Sequence, residues 1–225
     1  MTTHPPAEAP ADGAPSATRQ DPQLGRRLFH LVNGVAIATA YALLFTHDQV
    51  VQIFGAIACT IYIVDRIRIA YSEAVARHAP WVNHTLVRAE EQMREAAMTP
   101  FAIAVLLTIL AVPKLAALIA IYTLGIADPL AAVVGIRFGR RRIAHNRSLE
   151  GSLAFFAATL TIAALVLRWG TAASMPTIAG ASTAIGIAAA GCELLPLRIE
   201  DNLTIPIFVG FATWAITALC GVPLS

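Results

Sequence analysis

Charge is what this sequence has least of. Asp, Glu, Lys and Arg make up only 13% of its 225 residues, about half the share found in an ordinary soluble domain. Lys114 is the single lysine, so the positive charge is almost all arginine. The net charge is only +2, and nucleic acid is not expected as a partner. Cysteine is scarce too. Cys59, Cys192 and Cys220 fall in or at the ends of apolar segments without metal-ligand spacing, and they read as small buried apolar residues. No apolar run follows the first methionine, so a cleavable signal segment is not expected. Residues 1–22 hold Pro5, Pro6, Pro10, Pro15 and Pro22 among small polar residues and read as a disordered tail before a single domain over 23–225. No repeat of 20–50 residues is evident, which argues against an inverted-repeat transporter.

Apolar residues are present in abundance, at 57% with a mean hydropathy of +0.66. A spanning helix needs roughly 20 consecutive apolar residues. Candidates are 28–46, 49–70, 98–112, 114–137, 152–169, 174–192 and 204–222. The reading is an all-α polytopic integral membrane protein of about seven transmembrane helices. Residues 71–97 are polar and broadly helical, and they read as a cytoplasmic or interfacial connector. With the N-terminus inside, the inner loops carry 14 of the 16 Lys and Arg residues, leaving only Lys114 and Arg168 outside. That asymmetry predicts a cytoplasmic N-terminus and an external C-terminus.

Asp128 interrupts the fourth segment, followed by Pro129 and preceded by Gly125. An ionisable group at membrane depth is costly and marks a functional position. Asp-Pro also suits a helix start, with Asp as N-cap and Pro in the first turn. The expectation is a helix broken at Asp128-Pro129, with pieces over about 114–126 and from 129 onward. Asp128, Ala132, Gly135 and Gly139 then share one face, open to a phosphate chain or to another helix. Five arginines follow within eleven residues, Arg137, Arg140, Arg141, Arg142 and Arg147, beside a helix start at Ser148. Arginine forks and helix N-termini both bind polyphosphate, although arginines at this position also serve as membrane anchors. Two more patches belong with these. Glu193 ends the sixth segment while Asp201 and Asn202 begin the seventh, where carboxylates can reach one magnesium ion or simply cap a helix. Arg26 and His30 sit one turn apart at the mouth of the first segment.

Taken together, Asp128-x-x-Ala131-x-x-x-Gly135-x-x-x-Gly139-Arg140, Arg147-Ser148-x-Glu150-Gly151-Ser152, Glu193 and Glu200-Asp201-Asn202 resemble the dolichol kinase, phytol kinase and CTP-dependent diacylglycerol kinase family. Arg27-x-x-His30 and Arg88-x-x-Glu91 resemble the same pattern. The resemblance covers about 25–210 and is most specific over 128–152. That block is also similar to phosphatidate cytidylyltransferases, but their later signature is missing. Arg147 stands where the kinases often have lysine, and Glu200 where they often have aspartate. The resemblance implies phosphoryl transfer from CTP to a membrane lipid alcohol with a divalent cation, normally Mg2+. It implies Asp128, Asp201 and Glu193 as metal ligands. Arg140, Arg141, Arg142, Arg147 and Arg27 would cradle phosphates, helped by Gly135, Gly139, Ser148, Gly151 and Ser152. Glu150 or His30 would accept the hydroxyl proton. The alternatives are a CDP-lipid-forming cytidylyltransferase and a non-enzymatic anion carrier or scaffold.

Overall fold

A computed structural model describes residues 21–71, 77–78, 98–144, 147–195 and 201–224; the side chains of 21–27, 29–30, 144 and 201 are outside that description. The tail read over 1–22 and the connector read over 71–97 therefore lie almost wholly outside the described residues.

The described chain is helical apart from one short hairpin. Helix α1 is Asp21–Leu43, α2 is His47–Ala70 and α3 is Met98–Ala111. Then come α4, Lys114–Tyr122, a π-helical turn, Thr123–Ala127, and α5, Asp128–Phe138. Strands β1, Arg142–Ala144, and β2, Arg147–Ser148, pair antiparallel. Helices α6, Leu149–Gly170, α7, Met175–Leu194, and α8, Asp201–Leu219, follow. Five helical rods among the described residues are long and apolar enough to cross a membrane: His47–Ala70, Lys114–Phe138, Leu149–Gly170, Met175–Leu194 and Asn202–Leu219. Two shorter apolar stretches, Leu31–Leu43 and Met98–Ala111, accompany them. The protein is an integral membrane protein by these lengths and compositions.

The expected break at Asp128-Pro129 is corrected by the structure. Lys114–Phe138 runs as one rod. Pro129 has no N–H to offer the carbonyl of Gly125. The helix absorbs this by widening one turn, so that the Asp128 N–H donates to the carbonyl of Thr123, five residues back. Asp128 itself is helical, at φ −64° and ψ −51°. It is not an N-cap, because a capping residue needs extended backbone.

This rod is the centre of the molecule. Ala116 to Ile121 are all buried, as a helix apolar on every side must be. Ile119 and Ala120 join Phe155, Leu167, Ile185 and Val209 in one core. Leu118 and Ile121 join Tyr41, Val105 and Ile109 in another. In lipid these contacts act by close packing and dispersion, since leaving lipid for protein releases no water. Cys192 is buried as the sequence suggested, but Cys59 on α2 and Cys220 in the turn after α8 are exposed.

Helix α1 packs antiparallel along the rod. Lys114 Nζ donates to the Phe45 carbonyl at 3.4 Å and lies 5.0 Å from the Tyr41 ring. Thr39 and Tyr122 share a 2.9 Å hydroxyl bond. Gly34 meets Gly125 so closely that a Cβ on Gly34 would lie 2.7 Å from the Gly125 Cα. Only two glycines allow backbones this near.

Candidate active site

Ser148 and three glycines form a joint between α5, the hairpin and α6. The Ser148 Oγ accepts the Gly151 N–H at 3.1 Å and so caps α6, as the sequence predicted. It also fills the bare faces of α5. A Cβ on Gly135 would meet that oxygen at 3.0 Å, and one on Gly139 would meet it at 2.8 Å. A Cβ on Gly151 would lie 2.9 Å from the Ala131 carbonyl oxygen and 3.3 Å from the Gly135 Cα. Of the two readings for Gly135 and Gly139, close helix packing is the one realised on this face.

Glu150 anchors the entry to the hairpin. Its Oε2 accepts the backbone N–H groups of Arg140 and Arg141 at 3.1 and 3.5 Å. The Leu149 N–H donates to the Arg141 carbonyl at 2.9 Å. The chain leaving α5 is thus stitched to the first turn of α6, and Arg140, Arg141 and Arg142 stand exposed on it.

Across the joint lies a charged triad. Glu193, with its carboxylate side chain 2% exposed, takes Arg147 Nη1 on Oε1 at 3.1 Å. Its Oε2 accepts the Ser152 hydroxyl at 3.0 Å. The structure therefore brings together Arg147, Ser152 and Glu193 from the hairpin, α6 and α7. A buried carboxylate needs this kind of pairing, since desolvating it alone costs several kcal/mol.

Asp128 sits one turn before Ala131 and two before Gly135, on the stripe that meets α6 at Gly151. The register of α1 against the rod, fixed at Phe45–Lys114, Thr39–Tyr122 and Gly34–Gly125, carries position 30 to the level of 129–131. The structure thus brings the backbone of α1 near position 30 to within about a turn of Asp128, a neighbourhood that no sequence spacing reveals. The side chains of Arg27, His30 and Asp201 are outside the described residues. No group of three His, Cys, Asp or Glu side chains able to hold a metal occurs among the described residues.

Two features add to the sequence motifs: the burial of Asn202, a position the motifs name, and an ion pair they do not. The Asn202 side chain is 3% exposed and its Nδ2 has no hydrogen-bond partner among the described residues. A buried donor left without a partner costs about 1–3 kcal/mol, so its retention at the start of α8 marks it. The second is a buried ion pair. Arg68 donates from Nε and Nη2 to Asp65 Oδ1 at 3.0 and 2.8 Å, and Thr99 on α3 donates to Asp65 Oδ2 at 3.0 Å. Asp65 and Arg68 are 5% and 3% exposed. Arg68 counted as a loop anchor in the orientation argument, but it is an internal charge partner. The signal was available, since Asp65 lies inside an apolar segment with its arginine three residues on.

Fold and site define a polytopic helical membrane protein with an arginine-bearing hairpin closed onto a helix N-terminus. The chain is 33% identical over 102 residues to phytol kinase from Synechocystis sp., a match covering 44% of this chain and 43% of that protein. The matched region thus spans less than half the length of that relative. No family model matches, and no solved structure matches.

Proposed function

We propose that the protein is a lipid kinase that transfers a phosphoryl group from CTP to the hydroxyl of a membrane lipid alcohol. The observation that carries this reading is the joint itself. Four arginines, Arg140 and Arg141 on the chain entering the hairpin and Arg142 and Arg147 on its strands, stand at the N-terminus of α6, with Asp128 within a membrane-spanning rod on the stripe that packs against it. Phosphoryl transfer needs positioning and charge neutralisation above all, and guanidinium forks at a helix N-terminus supply both. The match to a phytol kinase supports the acceptor being an alcohol in the bilayer.

In this reading Arg140, Arg141, Arg142 and Arg147 hold the phosphates from the outer side of the joint, and the family resemblance adds Arg27 to them. The inner side of the joint is filled by Ser148 and the glycines. Asn202 Nδ2 is a donor, so it suits a phosphate oxygen and not a cation. Magnesium takes one or two protein carboxylates when phosphates and water supply the rest; Asp128 and Asp201 would supply them, and the ion would neutralise charge on the phosphates. Glu193 stands behind them, holding Arg147 and Ser152 in place. Glu150 is committed to two loop amides, so of the two candidates the hydroxyl proton is assigned to His30. We also propose seven spans with the N-terminus and the hairpin in the cytoplasm, where nucleotides are.

Purified protein in mixed micelles, given CTP labelled in the α or the γ position and a panel of lipid alcohols, tests this. Transfer of γ-label to lipid with release of CDP is the expected result. Release of pyrophosphate with α-label in the lipid would assign a cytidylyltransferase. No covalent product with any alcohol would overturn both.

A further inference from the structure

Glu193 is a carboxylate that the family resemblance offers to a metal, yet its surroundings fit a different task. It lies in the last turn of α7, and its side chain is 2% exposed. Each carboxylate oxygen has a protein donor. Oε1 takes Arg147 Nη1 at 3.1 Å, and Oε2 takes the Ser152 hydroxyl at 3.0 Å. Magnesium demands near-octahedral geometry and keeps several of its waters. To reach Glu193 it would have to displace a guanidinium or a buried hydroxyl, and it would then stand beside the charge of Arg147. These contacts suit a carboxylate that holds a cationic side chain, not one that holds an ion.

The other partner of the contact reaches the surface. Arg147 lies in β2, directly before the Ser148 cap of α6. Its side chain is 26% exposed. A guanidinium is a rigid planar fork with several N–H donors, and Nη1 is the corner turned to Glu193. Pinning one corner of a rigid plane restricts how the whole plane can turn. Ser152 restrains the carboxylate in turn. It comes from the first turn of α6, one residue after Gly151, whose N–H donates to the Ser148 Oγ. The contacts Ser152–Glu193–Arg147 therefore tie the direction of the guanidinium to the same helix start that the cap defines.

We infer that Glu193 is a positioning residue and not a metal ligand, and that it fixes the guanidinium plane of Arg147 so that its exposed side meets a phosphate oxygen. The inference rests on the lipid-kinase reading for the phosphate, and on the triad alone for Glu193. It explains arginine at 147, where the resembling kinases often have lysine. A lysine carries a single nitrogen on a flexible stem. Opposite a buried carboxylate that nitrogen is drawn inward, and no planar edge remains on the exposed side. Arg147 and Glu193 are a matched pair in this chain.

The test measures binding to the full chain in detergent as a concentration-dependent rise in melting temperature, with Mg-CTP and with magnesium pyrophosphate as probes. Arg147→Lys keeps the charge and should weaken both probes about tenfold, the scale of one charge-assisted hydrogen bond. In the Glu193→Gln background the same change should cost less than about twofold, since no carboxylate is left to orient arginine or to capture lysine. Ser152→Ala loosens the same carboxylate without altering charge and should also shrink the cost of Arg147→Lys. The Mg2+ concentration that gives half of the CTP protection should stay within about twofold in Glu193→Gln, whereas loss of a metal ligand would raise it about tenfold or more. A rise of that size would overturn the assignment, as would an undiminished cost of Arg147→Lys in both backgrounds or no protection of the unmodified protein by either probe. Protection with the expected coupling, but no phosphorylated lipid with any alcohol, would keep the assignment and remove the kinase reading. Phosphorylated lipid with additive effects would keep the kinase reading and remove the assignment.

Discussion

Arg147 and Glu193 meet at 3.1 Å across the boundary between the hairpin and α7, with the carboxylate almost wholly buried and the guanidinium partly open. This pair ties the arginine-bearing hairpin to the bundle. Removing the arginine alone leaves a buried charge with Ser152 as its remaining partner of the triad. Arg147→Met should therefore destabilise the protein by about 3–5 kcal/mol, and Arg147→Met with Glu193→Gln should recover most of that. Thermal unfolding in detergent reads the cycle. If the two changes simply add, the pair is not coupled.

Gly34 and Gly125 should tolerate no larger residue. Gly34→Ala drives a methyl group into the Gly125 backbone and should cost about 1–3 kcal/mol, as overpacking of a close contact does. A Cβ on Gly55 of α2 would meet nothing within 4 Å. There Gly→Ala should stabilise by up to about 1 kcal/mol through helix propensity. Equal melting shifts for the two variants would contradict the close crossing.

The Asp65–Arg68–Thr99 cluster should be structural. Asp65→Ala removes the carboxylate that Arg68 pairs with in the interior and should cost about 3–5 kcal/mol. Thr99→Val, which removes one hydrogen bond to a carboxylate, should cost about 1.5–3 kcal/mol. In both variants any activity measured on the folded fraction should stay near that of the unmodified protein. A large fall in turnover of fully folded Thr99→Val would assign the cluster to the reaction instead.

Asn202 should separate stability from activity. Its Nδ2 is buried without a partner among the described residues, and Asn202→Leu should change stability by no more than about 1–3 kcal/mol. Turnover should fall by about tenfold or more if the donor meets a phosphate oxygen. Full activity in a stable Asn202→Leu protein would remove Asn202 from the site.

Asp128 gives the sharpest test of the proposed reaction. Asp128→Asn removes the charge and keeps the size, and a neutral amide is easier to hold at membrane depth. The variant should insert and fold, yet lose about two orders of magnitude or more in transfer, the scale of one lost electrostatic contact to reacting groups. The helical backbone at Asp128 removes N-capping as an alternative reason for the carboxylate. Near-normal turnover in the folded variant, across a magnesium series, would falsify the assignment.

The sequence by itself determined the class of the molecule, because hydropathy and charge scarcity act locally. Runs of apolar residues long enough for a bilayer have few other uses. The α6 start at Ser148 was equally legible, since a cap depends on residues three apart. The tertiary structure decided the rest, because it depends on contacts between distant segments. The Asp-Pro pair alone is compatible with a break or with a widened turn, and the packed rod from Ala116 to Ala131, closed by Gly34 against Gly125, holds the π-helical form. Gly135 and Gly139 alone suit either a phosphate or a helix, and Ser148 and Gly151 decided for the helix on that face. Glu193 alone is a carboxylate at a helix end; Arg147 and Ser152, 46 and 41 residues earlier, make it the anchor of the hairpin. Spacing within one helix is set by its pitch, but which helix stands opposite is set by how all of them pack.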